Sequence, residues 1–141
     1  MAELNVSRKN IQGLLSLNDP TTKGKIFVIP EYQRPYRWEV DTCDVLWNDL
    51  KNFFEEHKDD DREYFLGSIV TCDDTDEQNR INIIDGQQRI TSFLLLLRAF
   101  YYKLEDQLVD NPSDEEVEGL MKSIEPCIWK FNPMTKKVSN K

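Results

Sequence analysis

Ile81-Asn82-Ile83-Ile84-Asp85-Gly86-Gln87-Gln88-Arg89-Ile90-Thr91-Ser92 reads as a short apolar strand that empties through Asp-Gly into polar residues opening a helix. Ile81, Ile83 and Ile84 are β-branched and bounded by polar residues, which favours a buried strand. Beyond the switch, Ile90, Phe93, Leu94, Leu97 and Tyr101 recur at helical spacing. Gly86 marks the change, because glycine adopts backbone turns closed to other residues. The first turn of a helix carries N–H groups with no partner inside the helix, and with the helix dipole they favour a phosphate or carboxylate. Arg89 can add a planar, charge-assisted clamp, Gln87 and Gln88 both donate and accept, and Thr91 offers a hydroxyl. Asp85 is the odd member. A carboxylate beside an anion site is repulsive unless it caps the helix, orients Arg89, holds a metal such as magnesium or contacts a sugar hydroxyl. The purely structural reading is a cap, a turn and a solvated arginine, and the pattern alone does not choose between the two.

The surroundings narrow the function classes. The chain has 141 residues, the size of one domain or the leading part of a larger one, and its 39% hydrophobic share supplies a modest core. With 18 Lys+Arg against 26 Asp+Glu, the net charge of -8 gives no general attraction to nucleic acid or to an anionic membrane, so any such contact has to be local. No charged-then-apolar leader opens the sequence, and the longest apolar run, residues 93–97, falls far short of the roughly 20 residues of a membrane span. A cytoplasmic protein is expected. Cys43, Cys72 and Cys127 show no paired spacing of a zinc site or a disulfide framework. The single histidine, His57, sits in a charged stretch, which gives a histidine-dependent triad little support.

Along the chain, residues 7–17 read as an amphipathic helix with Ser7 as a cap, and a turn-rich stretch follows over 18–24. Residues 25–29 read as a strand stopped by Pro30, and the spacing of Leu46, Trp47, Leu50, Phe53 and Phe54 gives a helix over 41–56 that packs against a core. Residues 64–70 read as a strand that pairs in hairpin fashion with the one ending at Asp85. Gly67-Ser68 inside it either admits the close approach of a backbone or ligand or marks a β-bulge. The helix after Gly86 extends to about Asp110. Ser113 and Glu116 make a capping box for a helix toward Ile124, and Pro126 and Pro133 punctuate a less regular end. The order α, β, α, β, β, α, α gives an α+β fold with a small mixed sheet flanked by helices.

A second candidate site is Ile29-Pro30-Glu31-Tyr32-Gln33-Arg34-Pro35-Tyr36-Arg37-Trp38. Its prolines restrict the backbone, so a rigid connector presents Gln33 or Arg34 with little ordering entropy on binding. Tyr32, Tyr36 and Trp38 either stack on nucleic-acid bases while Arg34 and Arg37 contact phosphates, or close one end of the core.

Taken with Tyr64-Phe65-Leu66-Gly67-Ser68-Ile69 and Ile84-Asp85-Gly86-Gln87-Gln88-Arg89-Ile90-Thr91, that segment resembles the N-terminal domain of GmrSD-type, modification-dependent restriction endonucleases, whose fold is similar to ParB and sulfiredoxin. The resemblance covers about residues 29–97. It implies a single nucleotide-binding, often nucleotide-hydrolysing sensor domain, here residues 1–141, in defence against modified phage DNA. It places the nucleotide at Asp85, Gly86, Gln87, Gln88 and Arg89, with Tyr32, Gln33 and Arg34 facing the same cleft, and it implies a nucleoside triphosphate with magnesium. In that reading the phosphates sit at the helix start, Thr91 adds its hydroxyl, Arg89 stabilises developing charge, and Asp85 orients a water or the metal. No Walker-type lysine loop is present. DNA cutting in such proteins belongs to a separate C-terminal histidine-asparagine-histidine nuclease module, which nothing here matches. That leaves three origins open: a truncated chain, a degenerate gene product or a stand-alone partner of a separate nuclease. Two competing readings are a non-catalytic module inspecting modified DNA through Tyr32, Arg34, Tyr36, Arg37 and Trp38, and a scaffold whose acidic surface binds a basic partner.

Overall fold

The computed structural model describes residues 5–16, 22–132 and 137–140. Its elements run α1 (Ile11–Leu15), β1 (Ile26–Val28), α2 (Val40–His57), β2 (Val70–Asp73), β3 (Arg80–Asp85), α3 (Gln87–Asp110), α4 (Glu115–Ile128), β4 (Trp129–Asn132) and β5 (Lys137–Asn140). This is an α+β fold. The chain divides into two compact units, Phe27–Ser92 in one and Met1–Ile26 with Phe93–Lys141 in the other, and the divisions fall inside β1 and α3.

The Phe27–Ser92 unit contains the sheet, in the order β1-β3-β2 with β2 and β3 antiparallel. β3 is central and its faces alternate: Ile81 and Ile83 are buried, whereas Ile84, expected inside, is exposed. Burying Ile83 almost completely contributes about 1.5–3 kcal/mol. The hairpin turn is held by Asp74, whose carboxylate accepts from the N–H groups of Asp76 (2.9 Å) and Glu77 (3.2 Å) and from Asn82 Nδ2 (3.1 Å). These bonds hold the Asp74 carboxyl below the usual carboxylate range, the Asp76 N–H contributing most.

The strand expected over 64–70 begins only at Val70 and runs to Asp73. Gly67 explains the shift. At φ 100° it leaves the extended region, and the register with β3 is also irregular between Val70 and Thr71. The helix α2 forms as expected, but none of its residues is buried, and Trp47 and Phe54 are exposed. Phe53 packs on the rings of His57 (centroids 4.6 Å) and Tyr64 (5.3 Å). Periodicity specifies an apolar side of a helix, not what covers it.

In the other unit, α1 is shorter than expected and is capped by Asn10, whose side chain accepts from Gly13 N–H at 2.7 Å, rather than by Ser7. Lys25 N–H closes a turn onto Thr22 O; residues 18–21 of the expected turn lie outside the described residues, as does Pro133. The helix α4 is capped by Asp114, one position after the expected Ser113, through a 3.1 Å bond from Val117 N–H. It continues through Pro126 to Ile128. The end expected to be irregular forms an antiparallel hairpin, β4 with β5. At its start, Trp129 carries Arg98 4.4 Å above its ring and meets Tyr101 edge-on, and Tyr101 donates to Glu125 Oε1 (3.1 Å). Among the described residues, no helix is long and apolar enough to cross a membrane.

Candidate functional site

Both candidate segments of the sequence belong to the Phe27–Ser92 unit. β3 ends at Asp85, Gly86 turns the chain at φ 91°, and α3 starts at Gln87. A side chain at 86 is excluded twice over. The conformation disfavours one, and a Cβ would stand 2.5 Å from Ile69 Cδ1 and 3.3 Å from the Ser68 carbonyl oxygen. The Gly86 carbonyl accepts the first helical bond, from Ile90 N–H at 3.0 Å. The backbone N–H groups of Gln87, Gln88 and Arg89 therefore precede the helical ladder, and none has an acceptor among the described residues.

The glutamines do not wait for a ligand. Gln87 and Gln88 are buried, and their amides fasten the 30–38 segment to the first turn of α3. Gln87 Nε2 donates to Gln33 Oε1 (3.2 Å), and Gln33 Nε2 donates to the Ile84 carbonyl (3.0 Å). Gln88 pairs with backbone on both sides of Tyr36: Nε2 donates to the Pro35 carbonyl (3.0 Å), and Oε1 accepts from Arg37 N–H (2.7 Å). Gln33 N–H also donates to Pro30 O at 2.9 Å, which closes a turn.

Tyr36 is tied down as well. Ser92 Oγ donates to the Gln88 carbonyl (2.9 Å), and since a hydroxyl has one proton, the 2.9 Å contact between Tyr36 and Ser92 has the tyrosine donating. The Cys43 thiol lies 3.7 Å from the same phenol oxygen. Burial raises the Tyr36 pKa and Cys43 adds to the rise, against a lowering by Ser92, so the phenol keeps the proton that this arrangement needs.

What remains open is charge. Arg89 is half-buried and donates from Nη1 to the Ser68 carbonyl at 2.7 Å. No carboxylate among the described residues pairs with it. Arg34 and Arg37 are exposed and their guanidinium groups also have no partner among the described residues. Arg34 stands between Gln33 and Pro35, both bonded to α3 or the end of β3, so its backbone is fixed while its side chain is not. Tyr32 is 76% exposed, Trp38 is half-buried, and Thr91 is half-buried in the second turn of α3.

Asp85 is exposed, and its carboxylate bonds neither to the start of α3 nor to Arg89. Of the roles weighed from sequence, capping the helix and orienting Arg89 are therefore not seen. Among the described residues no three His, Cys, Asp or Glu side chains gather as a metal site. A cation at Asp85 would need ligand oxygens and water, which is how magnesium is commonly held beside phosphates.

Sequence reasoning missed Ser92 and Cys43 as partners of Tyr36, and the use of Pro35 and Ile84 as acceptors. A backbone acceptor leaves no trace in residue type. Gly67 did leave one, as a glycine inside an apolar stretch.

The family model described as GmrSD restriction endonuclease, N-terminal domain, matches residues 12–139. No curated protein matches the chain.

Proposed function

Because this chain belongs to the family of GmrSD restriction endonuclease N-terminal domains, a restriction-system family, we propose that it binds the phosphates of a nucleoside triphosphate at the start of α3. One observation carries the reading. In a chain of net charge -8, the guanidinium of Arg89 is held by Ser68 and, among the described residues, has no acid to neutralise it, on the same turn as three N–H groups that meet no acceptor among those residues. Such a placement suits a multiply charged oxyanion, which takes charge-assisted bonds from arginine and from the helix terminus together.

The roles divide accordingly. Arg89 and the backbone of Gln87 and Gln88 contact phosphate. Gln33, Gln87 and Gln88 act through their side chains as positioning residues that hold the 30–38 segment, which leaves Arg34 to reach the outer phosphates. Asp85 is the residue that would hold magnesium, which when bound would supply positive charge against the phosphates. Hydrolysis, where it occurs, has Asp85 orienting a water and Arg89 stabilising the charge that develops on the terminal phosphate. Cutting of modified DNA belongs to a nuclease module outside these residues, since the one histidine, His57, is bonded to Asp60 (3.1 Å) beside Phe53.

Calorimetric titration of the folded chain with each nucleoside triphosphate and magnesium tests the proposal. Saturable one-site binding is expected for at least one of them, and a flat response to all four rejects it.

A second reading draws on a different observation. Tyr32, Arg34 and Arg37 are exposed on a backbone already fastened, which fits a surface that stacks on a base and contacts DNA phosphates. Tyr36 and Trp38 contribute less to it, one through its bond to Ser92 and the other through partial burial. Binding that weakens with salt and prefers modified over plain DNA of the same sequence supports this reading, and equal, negligible retention of both at low salt removes it.

A further inference from the structure

The geometry points to Gly67 as the residue that positions Arg89, an inference that rests on the anion-site reading above. A Cβ at residue 67 would stand 2.6 Å from Nη1 of Arg89, 2.8 Å from its Cζ and 3.2 Å from its Nη2. The guanidinium group thus occupies the space a side chain would fill. The same glycine, at φ 100°, turns the chain immediately before Ser68, whose carbonyl takes the Nη1 proton at 2.7 Å. One residue therefore supplies both the floor under the guanidinium and the bend that brings up its anchor.

The anchor also selects which donors are presented. An arginine carries five N–H donors in a rigid plane. With Nη1 directed to Ser68, the edge formed by Nε and Nη2 is the one on which neither nitrogen has an acceptor among the described residues. That edge presents two parallel donors, which match two oxygens of one phosphate group. A side chain at 67 would push the plane off its floor and swing this edge away, while leaving the charge of Arg89 and the start of α3 intact.

The experiment compares the full chain with Gly67→Ala, Arg89→Ala and the double variant, using inorganic tripolyphosphate with magnesium as the probe in calorimetry. Loss of a charge-assisted bond predicts that each single variant loses about tenfold to a hundredfold in affinity, and that the double variant loses no more than Arg89→Ala alone. Additive losses, or wild-type affinity in Gly67→Ala, overturn the inference.

Two readouts do not depend on the ligand. The backbone strain of alanine at a positive φ is common to both backgrounds and cancels in the cycle, so Gly67→Ala should lower Tm further when Arg89 is present than when it is Ala. An equal drop in both backgrounds counts against the cradle. In the ligand-free wild-type chain, the guanidinium protons of Arg89 should give separate, slowly exchanging NMR signals for Nη1 and Nη2. Averaged signals overturn the inference, and this measurement decides it even if Gly67→Ala fails to fold. A wild-type chain that ignores tripolyphosphate yet shows the separate signals rejects the anion site and keeps the positioning role.

Discussion

Two polar loops of the Phe27–Ser92 unit have opposite characters. In the hairpin turn, charged groups are engaged within the loop: Asp74 accepts three hydrogen bonds from neutral donors, and Arg80 lies within ion-pair distance of Glu77, at 2.8 Å. In the 30–38 segment the neutral groups are engaged and the charges are not. Gln33, Gln87 and Gln88 bind the segment to its support, while Arg34 and Arg37 stand without partners among the described residues. A loop whose charged groups are engaged locally serves the fold. One whose amides serve the fold and whose cations are left open is arranged for something outside the chain. Composition does not separate the two, since both are short, polar and charged.

The sharpest way to break this contrast is Arg89→Ala. If the open charge is the functional part, affinity for a triphosphate falls about tenfold to a hundredfold with the loss of a charge-assisted bond, while Tm barely moves because Ser68, which loses its donor, is itself exposed. Normal binding by this variant, read by calorimetry, moves the site elsewhere.

Gln88→Ala should reverse that pattern. It removes a donor and an acceptor that hold residues 35 and 37, at a cost of about 1–3 kcal/mol in stability, measured by urea unfolding. Amide exchange should speed up at Arg37, whose N–H loses its acceptor. Gln88→Glu separates the two halves of the bond. Its carboxylate still accepts from Arg37 N–H but now opposes the Pro35 carbonyl, so Arg37 stays protected while stability still drops. Loss of protection in both variants alike breaks the assignment of Gln88 as a staple.

The division between what was legible in the sequence and what was not follows the same line. β3, Gly86 and the long α3 were readable from Ile81 to Asp110, because β-branching, a turn glycine and helical spacing are properties of local sequence. The pairing of the 30–38 segment with the motif at Asp85 to Arg89 came from family resemblance and could not have come from spacing, since Gln33 and Gln87 are 54 positions apart. Sequence also presented Gln87, Gln88 and Arg89 as a uniform set of polar candidates. Only burial and partner geometry divide them, because a glutamine that binds backbone and one that binds a ligand have the same chemistry. The strand expected at residue 64 failed at Gly67 for the related reason that its apolar composition said nothing of Arg89, which needs that position bare.

Arg34→Ala and Arg37→Ala should have smaller effects. Both side chains are exposed and have no partner among the described residues, so each variant should keep its stability within about 0.5 kcal/mol. Arg34→Ala should weaken triphosphate binding less than Arg89→Ala does, because a mobile exposed side chain loses entropy when it orders on a ligand. Arg37→Ala also leaves the Arg37 N–H bond to Gln88 in place, since that bond uses the backbone. A destabilisation as large as that of Gln88→Ala would show that these charges serve the fold after all, and the contrast between the two loops would fail.

The hairpin turn offers the smallest effect and the cleanest sign. The Asp74 carboxyl is held below its ordinary value of 3.8 by the N–H of Asp76, then by Asn82 and the N–H of Glu77. A depressed carboxyl stabilises the turn fully above its unfolded pKa, and that contribution is lost as pH falls through the lower folded value. Amide exchange at Asp76 and Glu77 should therefore be slow and steady at neutral pH, relative to the intrinsic rate, and lose protection only on acidification below 3.8. Asp74→Asn should show the weakened protection already at neutral pH, with no acid-dependent step, because an amide keeps one acceptor oxygen but not the charge. Triphosphate affinity should be unchanged in the same variant. A turn that loosens without disturbing binding, set against a first turn of α3 that loses binding without loosening, would place closed and open charges on opposite sides of one small unit. A loss of binding in Asp74→Asn would instead couple the hairpin tip to the anion site and remove the separation on which the comparison stands.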